Sequence, residues 1–310
     1  MQNTSNPNHI EIVEVGPRDG LQNQVVKVAT ADKLALIDRA IAAGIRRIEV
    51  TSFVNPRKVP QMADADAIAA GLPVHDGVTY IGLVLNERGA ERALITQLHE
   101  LGAVCVATDT FAVRNQGQTS DESVIVAKRI VGMARAAGRR GQITIAASFG
   151  CPFEGEVAQD RVVAIARRAA EAQPVEIALA DTIGVAVPAE VTRLVARVRE
   201  AIAPIPVRVH FHNTRNTGIA NVWAAIQAGA TVVDASLGGL GGCPFAPDAA
   251  GNIATEDVTY MLERSGVSTG LDLAALIEAN EWMSGVMGMS LPAMLGKARP
   301  FPDFRALEHI

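Results

Sequence analysis

Short runs of apolar residues, rich in Val and Ile, alternate along the chain with longer stretches whose apolar residues recur at helical spacing. The short runs predict strands over residues 11–15, 46–51, 79–85, 103–108, 143–149, 175–181, 207–212 and 231–237. The longer stretches predict helices over residues 31–43, 60–70, 87–98, 121–138, 158–171, 188–201, 217–228 and 252–264. The pattern is therefore one strand–helix unit, repeated along most of the chain.

Strands that are apolar almost throughout, with helices between them, indicate a parallel sheet that is covered on both faces. The number of units and the length of residues 11–267 predict a (β/α)₈ barrel, the TIM-barrel fold of the α/β class. A doubly wound open sheet is the alternative, but the glycine-rich phosphate turn that usually accompanies it is absent after the first strand. Residues 1–10 are expected to be disordered or loosely attached, and residues 268–310 to form a helical extension packed on the barrel.

Charge and composition exclude several classes of protein. The net charge is −5 and no run of basic residues stands out, which argues against a nucleic-acid partner. No apolar stretch is long enough to cross a bilayer, and the N-terminus has no targeting pattern. Cys105, Cys151 and Cys243 are odd in number and far apart, so neither a disulfide framework nor a metal knuckle is expected. These features predict a reduced, cytoplasmic protein that does not associate with membranes.

Polar residues gather where the predicted strands end, which is where a barrel of this kind builds its active site. His210 and His212 are two residues apart on one strand, so both side chains point the same way. They could simply leave the strand towards water. Because Asp19, Glu49 and Asn252 follow other strands, we expect convergence on one divalent ion, with oxygen and imidazole ligands that suit Mg²⁺ or Mn²⁺.

Two further residues at the predicted mouth allow a structural or a chemical interpretation. Arg18 beside Asp19 can be a solvated ion pair, or a forked donor that stabilises a developing enolate. Cys243 lies in a glycine-rich loop, "GGLGGCPFAPDAAGN". It can be an inert buried thiol, or a group on a closing loop that exchanges a proton with substrate.

The motifs "VEVGPRDGLQNQ", "IEVTSFVNPRKVPQMADA", "CPFEGEV", "ADTIGV", "HFHNTRNTGIAN" and "GLGGCPFAPDAAGNIATEDV" resemble those of the 3-hydroxy-3-methylglutaryl-CoA lyase family. The similarity runs in order from about residue 11 to about residue 290. The resemblance implies metal-dependent cleavage of a CoA thioester substrate, to acetyl-CoA and acetoacetate in the parent reaction. It also implies a homodimer.

The resemblance further implies a role for each matching residue. Asp19, His210, His212 and Asn252 would hold Mg²⁺ or Mn²⁺. Arg18 would stabilise the enolate oxygen, Cys243 would take part in proton transfer at the enolate carbon, and Gln22 would position substrate. Glu49 and Asp181 would lie close to the reacting atoms, with Asp181 a candidate for proton transfer at the tertiary hydroxyl. Thr182, beside it, is a candidate substrate contact.

The chain departs from the family pattern directly after the two histidines. It reads "HNTRNTG" where the family resembles His-Asp-Thr-Tyr-Gly-Gln. Arg215 therefore adds a fixed positive charge, which is either a surface contact at the start of a helix or part of an altered acid-recognition pocket. Because of this departure, the sequence does not identify the acyl group of the substrate, and other 3-hydroxyacyl-CoA esters are alternative substrates.

Two other functions remain possible on the same scaffold. One is a pyruvate-linked aldolase or a condensing synthase, against which the loop that carries Cys243 argues. The other is a catalytically silent barrel that binds acyl-CoA, which predicts that Arg18 and the metal are dispensable.

Overall fold

The computed structural model of the protein describes residues 8–243 and 246–301, and for residues 243 and 246–249 it describes the backbone only. Eight parallel strands close into a barrel in sequence order, and the first strand pairs with the eighth at Glu11 and Val232. The predicted TIM barrel is thereby confirmed. Its strands are β1 (Glu11–Glu14), β2 (Arg47–Ser52), β3 (Thr79–Val84), β4 (Glu100–Val106), β5 (Arg140–Ala146), β6 (Ile177–Asp181), β7 (Val207–Phe211) and β8 (Val232–Ala235).

Helices cover the outside of the barrel and bury the large apolar core between themselves and the strands. Among the described residues they are α1 (Thr30–Ala42), α2 (Ala65–Gly71), α3 (Glu87–Leu94), α4 (Asp109–Gln116), α5 (Ser120–Ala136), α6 (Gln159–Ala170), α7 (Pro188–Ile202), α8 (Gly218–Gln227), α9 (Thr255–Arg264), α10 (Leu273–Met287) and α11 (Leu295–Ala298). None of the described helices is both long and apolar enough to cross a membrane.

The inside of the barrel is charged, which the sequence pattern did not reveal. One small apolar cluster of Val13, Val15, Ile81 and Val232 is present, and charged side chains buried in an ionic network fill much of the remaining space. Both β4 and β5 begin three residues earlier than predicted and end before Ala107 and Ala147. Glu100 is the first residue of β4 and Gln142 the third residue of β5, and both polar side chains are fully buried. A prediction based on apolar runs therefore shifted both strands towards their carboxyl ends.

The predicted helix over residues 60–70 is in fact a short 3₁₀ turn at Pro60–Met62 followed by α2. Helix α4 was not predicted at all, and its buried residues are Phe111 and Ala112 alone. The next helix, α5, begins at a capping box in which Thr119 and Glu122 each bind the other's backbone N–H. The predicted helix over residues 252–264 begins only at Thr255, because the preceding residues lie against β7 and β8 at the mouth.

The C-terminal helices support the loop that follows β8. Leu276, Met283 and Met287 of α10 pack in one cluster with Leu237 and Leu240 of that loop. The backbone N–H of Ala293 donates to the carbonyl of Gly238 at 3.0 Å. At the other end of the chain, Ile10 donates to Ser268 at 2.9 Å, so residues 8–10 run alongside the start of the C-terminal part.

Candidate metal centre and active site

Arg18 and Asp19 lie in one tight turn of π-helix, Gly16–Gly20, directly after β1. The backbone N–H groups of Arg18, Asp19 and Gly20 all approach the carbonyl oxygen of Val15, at 3.2, 2.7 and 3.1 Å. Gly20 is required here, because a Cβ would lie 2.6 Å from the hydroxyl oxygen of Ser236 and 3.0 Å from the carbonyl of Leu240. The turn is thus wedged against the loop after β8, and this contact fixes where both charged side chains point.

The fork of Arg18 bridges two carboxylates. Its Nη1 contacts Asp19 Oδ1, and its Nη2 donates to Glu49 Oε2 at 2.7 Å. Glu49 lies on β2 and is buried, as expected for a residue of the inner wall. The Nε of Arg18 is buried and has no hydrogen-bond partner among the described residues. A fixed, planar cation of this kind is suited to bind an oxyanion at the mouth.

His210 and His212 project from β7 into the same space, with ring centroids 5.2 Å apart. The Nε2 atoms of the two rings lie 3.8 and 3.9 Å from the same oxygen, Oδ2 of Asp19. One ligand atom from each of the three side chains lies within 4.8 Å of the other two. The two-residue spacing on a strand therefore aimed both imidazoles at the turn that follows β1.

Asn252 joins these three residues because its segment adds to the edge of β7. Asn213 donates to the carbonyl of Gly251 at 2.6 Å, and Asn252 forms a bridge with His212. The Nδ2 of Asn252 donates to Asp19 Oδ2 at 2.9 Å. Gly241 allows this approach, since a Cβ there would lie 2.6 Å from the same Nδ2. Ligation by Asn252 would use its other side-chain atom, the oxygen.

Electrostatics distinguish the two imidazoles. Burial by itself lowers the pKa of His210, but the hydrogen bond to Asp234 and the charge of Asp19 outweigh burial and raise the pKa. For His212, burial and the neighbouring His210 lower the pKa to about 4. For Asp19, burial is outweighed by Arg18 and the two imidazoles, which hold its pKa below the usual range. The centre therefore combines an ionised carboxylate with an imidazole that is neutral at physiological pH.

This set of donors fits a divalent cation. The carboxylate of Asp19 and the two imidazoles at the end of β7 converge on one point, and the side-chain amide of Asn252 lies against Asp19 Oδ2. Such mixed nitrogen and oxygen ligands suit first-row divalent ions and Mg²⁺, and no thiolate among the described side chains closes the shell as in a structural zinc site. The structure thus brings the four predicted ligands together.

Asp181 ends β6 and is fully buried. Its two oxygens accept hydrogen bonds from the backbone N–H groups of Val185 and Ala186, at 2.9 and 3.0 Å. Burial raises the pKa of Asp181 in spite of these bonds. Thr182, beside it, accepts a hydrogen bond from the N–H of Ala147 at 3.0 Å. Asp181 thereby holds the loop between β6 and α7, and Thr182 joins the end of β6 to the segment after β5.

Arg215 ties that loop to the next one. Its Nη1 donates to the carbonyls of Ile183 and Gly184, at 2.9 and 3.0 Å, and the side chain is exposed. Thr217 and Asn221 both donate to the carbonyl of Ala186 from the same side. The contact is therefore with the preceding loop and not with the start of α8. The two loops form a connected rim beside the histidines.

The remaining predicted residues of the site are Gln22 and Cys243. Gln22 lies two residues after the turn that carries Arg18, and its buried Oε1 has no hydrogen-bond partner among the described residues. An unsatisfied buried acceptor at a site is commonly completed by a ligand or water. The side chain of Cys243 lies outside the described residues, while its backbone pairs with Ala246 in a short hairpin, β9 (Gly242–Cys243) and β10 (Ala246–Ala250).

A model of the family described as HMGL-like matches residues 9–283. The chain belongs to the HMGL-like family. One relative, the (R)-citramalyl-CoA lyase of Chloroflexus aurantiacus, is 46% identical over 301 residues, which cover 94% of this chain and 95% of that protein. Another, the hydroxymethylglutaryl-CoA lyase YngG of Bacillus subtilis, is 39% identical and covers 93% of this chain and 96% of its own length.

A solved structure of an HMG-CoA lyase from Acinetobacter baumannii, in complex with coenzyme A and 3-methylmalate, superposes with a TM-score of 0.91. It is 39% identical and covers 97% of this chain and 98% of its own. This HMGL-like chain is thus a carbon–carbon lyase that acts on an acyl-CoA.

Several residues of this HMGL-like site were not foreseen. Asp234 on β8 lies 3.1 Å from the Nδ1 of His210, and Arg208 on β7 contacts Asp234 in turn. Glu14 accepts hydrogen bonds from Gly16, Leu237 and Thr255, and so joins the turn after β1 to the loop after β8. Arg208 could have been found, because it shares the face of β7 with His210 and His212. Glu14 points to the outer face, where the sequence gives no such signal.

Proposed function

We propose that the protein cleaves a CoA thioester with a tertiary 3-hydroxyl group, with a divalent ion bound by Asp19, His210, His212 and Asn252. The products are acetyl-CoA and a keto acid. The observation that carries this proposal is the convergence of Asp19 with both imidazoles on one point, directly beside the fork of Arg18. Mg²⁺ or Mn²⁺ bound there supplies Lewis acidity towards the oxygen atoms of the substrate.

Arg18 has the position to stabilise the enolate that forms when the bond between C2 and C3 breaks. Its guanidinium is held in place by Asp19 and Glu49, so it needs no reorganisation when negative charge develops on the thioester oxygen. Glu49 thereby acts as the anchor of Arg18 at the site. Because a guanidinium stays charged at any physiological pH, this contribution does not depend on a proton equilibrium.

Proton transfers complete the proposed reaction. Asp181 is the proposed acceptor of the proton of the tertiary hydroxyl, because its raised pKa makes it a stronger base than an ordinary carboxylate. Each oxygen of Asp181 accepts one backbone hydrogen bond and keeps a second lone pair that can take the proton. Cys243, on the hairpin that follows β8, is the proposed donor to the enolate carbon, and Gln22 and Thr182 are proposed substrate contacts.

The identity of the acyl group has two candidates. The parent substrate of the family is 3-hydroxy-3-methylglutaryl-CoA, which yields acetoacetate. Citramalyl-CoA is the second candidate, favoured by the relative of 46% identity that carries this activity in its name. It is one methylene shorter between the carbinol carbon and the carboxylate, and yields pyruvate. A single methylene is worth about 1–3 kcal/mol of discrimination, so one of the two should be clearly preferred.

A paired assay tests both parts of the proposal. Metal-free protein is supplied with each thioester in turn, with and without Mn²⁺, and acetyl-CoA, acetoacetate and pyruvate are quantified. We expect acetyl-CoA only when the metal is present, together with one keto acid. Release of free CoA instead of acetyl-CoA, or equal turnover without metal, would contradict the proposed reaction.

A further inference from the structure

The two imidazoles of the site differ in what lies behind them. The Nδ1 of His210 is 3.1 Å from Oδ2 of Asp234, which faces it from the neighbouring strand at the paired position. The Nδ1 of His212 is also buried, yet it has no hydrogen-bond partner among the described residues. One of the two rings is therefore fixed from behind, and the other is not fixed in the same way.

The partner behind His210 determines which nitrogen of the ring carries hydrogen. A carboxylate only accepts hydrogen bonds, so the nitrogen that faces Asp234 must be the one with the hydrogen. The lone pair of the neutral ring is then on Nε2, which is the atom that faces Asp19 at 3.8 Å. A metal ligand must present a lone pair, and a carboxylate behind a ligating histidine commonly serves this purpose.

Arg208 holds Asp234 on its other side. Its Nε lies 3.0 Å from Asp234 Oδ1, as an ion pair whose geometry is not that of an aligned hydrogen bond. The same guanidinium donates to Glu176 at 2.8 Å, and both side chains are almost wholly buried. A permanent cation consequently faces the second oxygen of Asp234.

We propose that Asp234, held by Arg208, is a positioning residue that sets the tautomer of His210 and so presents its Nε2 to the ion. The inference rests on the proposed function, because it assumes that His210 is a metal ligand. It assigns no contact with substrate to Asp234 or to Arg208.

The chain offers a pair of variants that separates this role from simple structural support. In Asp234→Asn, the amide oxygen turns towards the cation of Arg208 and the amide nitrogen faces His210. The N–H of the amide then donates to Nδ1, and the hydrogen of the ring moves to Nε2, where it blocks ligation. Asp234→Ala removes more contacts, but it places no donor at Nδ1, so both tautomers of the His210 ring remain accessible. The order of the two variants in stability should therefore be the reverse of their order in metal affinity.

The experiment uses full-length protein and two readouts. Nitrogen-15 NMR of labelled histidine, in metal-free protein at a pH where the ring is neutral, reports which nitrogen of His210 carries hydrogen. Calorimetry reports the affinity for Mn²⁺. We expect hydrogen on Nδ1 in the native protein and on Nε2 in Asp234→Asn, whose Mn²⁺ affinity falls by about 10–100-fold. Asp234→Ala should lose less affinity and more stability than Asp234→Asn.

Glu100→Gln is the matched control, because it changes the same ionic network at Arg47 without contacting Asp234 or Arg208. Its Mn²⁺ affinity and tautomer should equal those of the native protein. Native hydrogen on Nε2, native affinity in Asp234→Asn, or an equal loss in Glu100→Gln would each overturn the proposal. If the alanine variant fails to fold, the asparagine variant and the NMR measurement still test whether Asp234 sets the tautomer of His210. A native protein that binds no Mn²⁺ would refute the proposed function, while the tautomer of His210 would still be measured.

Discussion

Arg47 in the lower half of the barrel and Arg18 at its mouth both bridge carboxylates. Arg47 contacts Glu11, Glu100 and Glu176 at 2.7 to 3.0 Å. Two of those carboxylates are shared with other arginines, since Glu176 also binds Arg208 and Glu100 also contacts Arg140. Arg18 contacts Asp19 and Glu49, but Asp19 is shared with two imidazoles and an amide.

The two arginines differ in the other groups that surround their carboxylate partners. Around Arg47 the carboxylates of Glu11, Glu100 and Glu176 are all paired with arginine side chains, which gives an ionic network. Around Asp19 the remaining neighbours are nitrogen and amide groups with lone pairs, which can accept a cation. A buried arginine–carboxylate pair is therefore no indication of a site by itself, and the groups that complete it decide between support and chemistry.

The largest expected effect is on stability, in Arg47→Met. The substitution leaves Glu100 and Glu176 buried with less compensation, so the free energy of unfolding should fall by about 3–5 kcal/mol. Urea unfolding at neutral pH measures this change. Turnover of the folded fraction should stay within a few-fold of native at low temperature. A normal unfolding midpoint would contradict the assignment of Arg47 to support.

Arg18→Met, in contrast, should affect turnover more than stability. Loss of the fork removes a donor to the developing enolate, so kcat should fall by about 10²–10³, equivalent to about 2.7–4 kcal/mol. Arg18→Lys is the matched control, because it keeps the charge without the fork and should recover only part of the rate. Turnover of the methionine variant within a few-fold of native would rule out the proposed role of Arg18.

A pH-dependent effect on stability is expected at Glu256, which supports the loop after β8 by accepting a hydrogen bond from the N–H of Gly238 at 3.1 Å. Burial raises the pKa of Glu256 to about 8, from 4.5. Since the folded state holds this proton more tightly than the unfolded state, the contribution to stability is complete below pH 4.5 and is lost as pH rises through 8. Its slope is about 1.4 kcal/mol per pH unit.

Unfolding of Glu256→Gln between pH 5 and pH 9 checks this expectation. The variant should lack that part of the pH dependence and should be more stable than native protein above pH 8. Glu281→Gln, at an exposed position of α10, is the control and should keep the native slope. The same slope in native protein and Glu256→Gln would show that the carboxyl group does not titrate in this range.

The smallest expected effect is at Arg215, on the exposed rim beside the histidines. We propose that Arg215 binds the acid group of the substrate, so Arg215→Met should raise KM by about tenfold, or about 1.4 kcal/mol, with little change in kcat. The KM of Arg215→Lys should lie between those of the native protein and Arg215→Met. An unchanged KM would assign Arg215 solely to its contacts with Ile183 and Gly184.

Local rules predicted the barrel and part of the site. The spacing of His210 and His212 was sufficient to predict that both side chains point the same way, because side-chain direction along a strand alternates with a period of two residues. This prediction needs no knowledge of distant contacts. The strand order followed from the repeated strand–helix unit, which also needs no knowledge of distant contacts. The convergence of Asp19 and Asn252 with the histidines was also foreseen, because strand ends in a closed barrel meet at one face.

Long-range pairing explains what the sequence did not reveal. Glu100, Arg47 and Glu176 are polar residues at or before the start of strands, and only their mutual contacts inside the barrel make burial possible. The supporting role of Glu14 depends on Leu237 and Thr255, which are more than 220 residues away along the chain. Neither arrangement has a periodicity that a reading of the chain can detect.

The central claim is that one divalent ion binds at Asp19, His210, His212 and Asn252 and is needed for carbon–carbon cleavage. Titration of metal-free protein with Mn²⁺, with bound ion and acetyl-CoA formation followed on the same samples, tests this claim most directly. We predict that activity rises in proportion to occupancy and levels off at one ion per chain. Full activity before any ion is bound, or a bound ion that leaves cleavage unchanged, would contradict it.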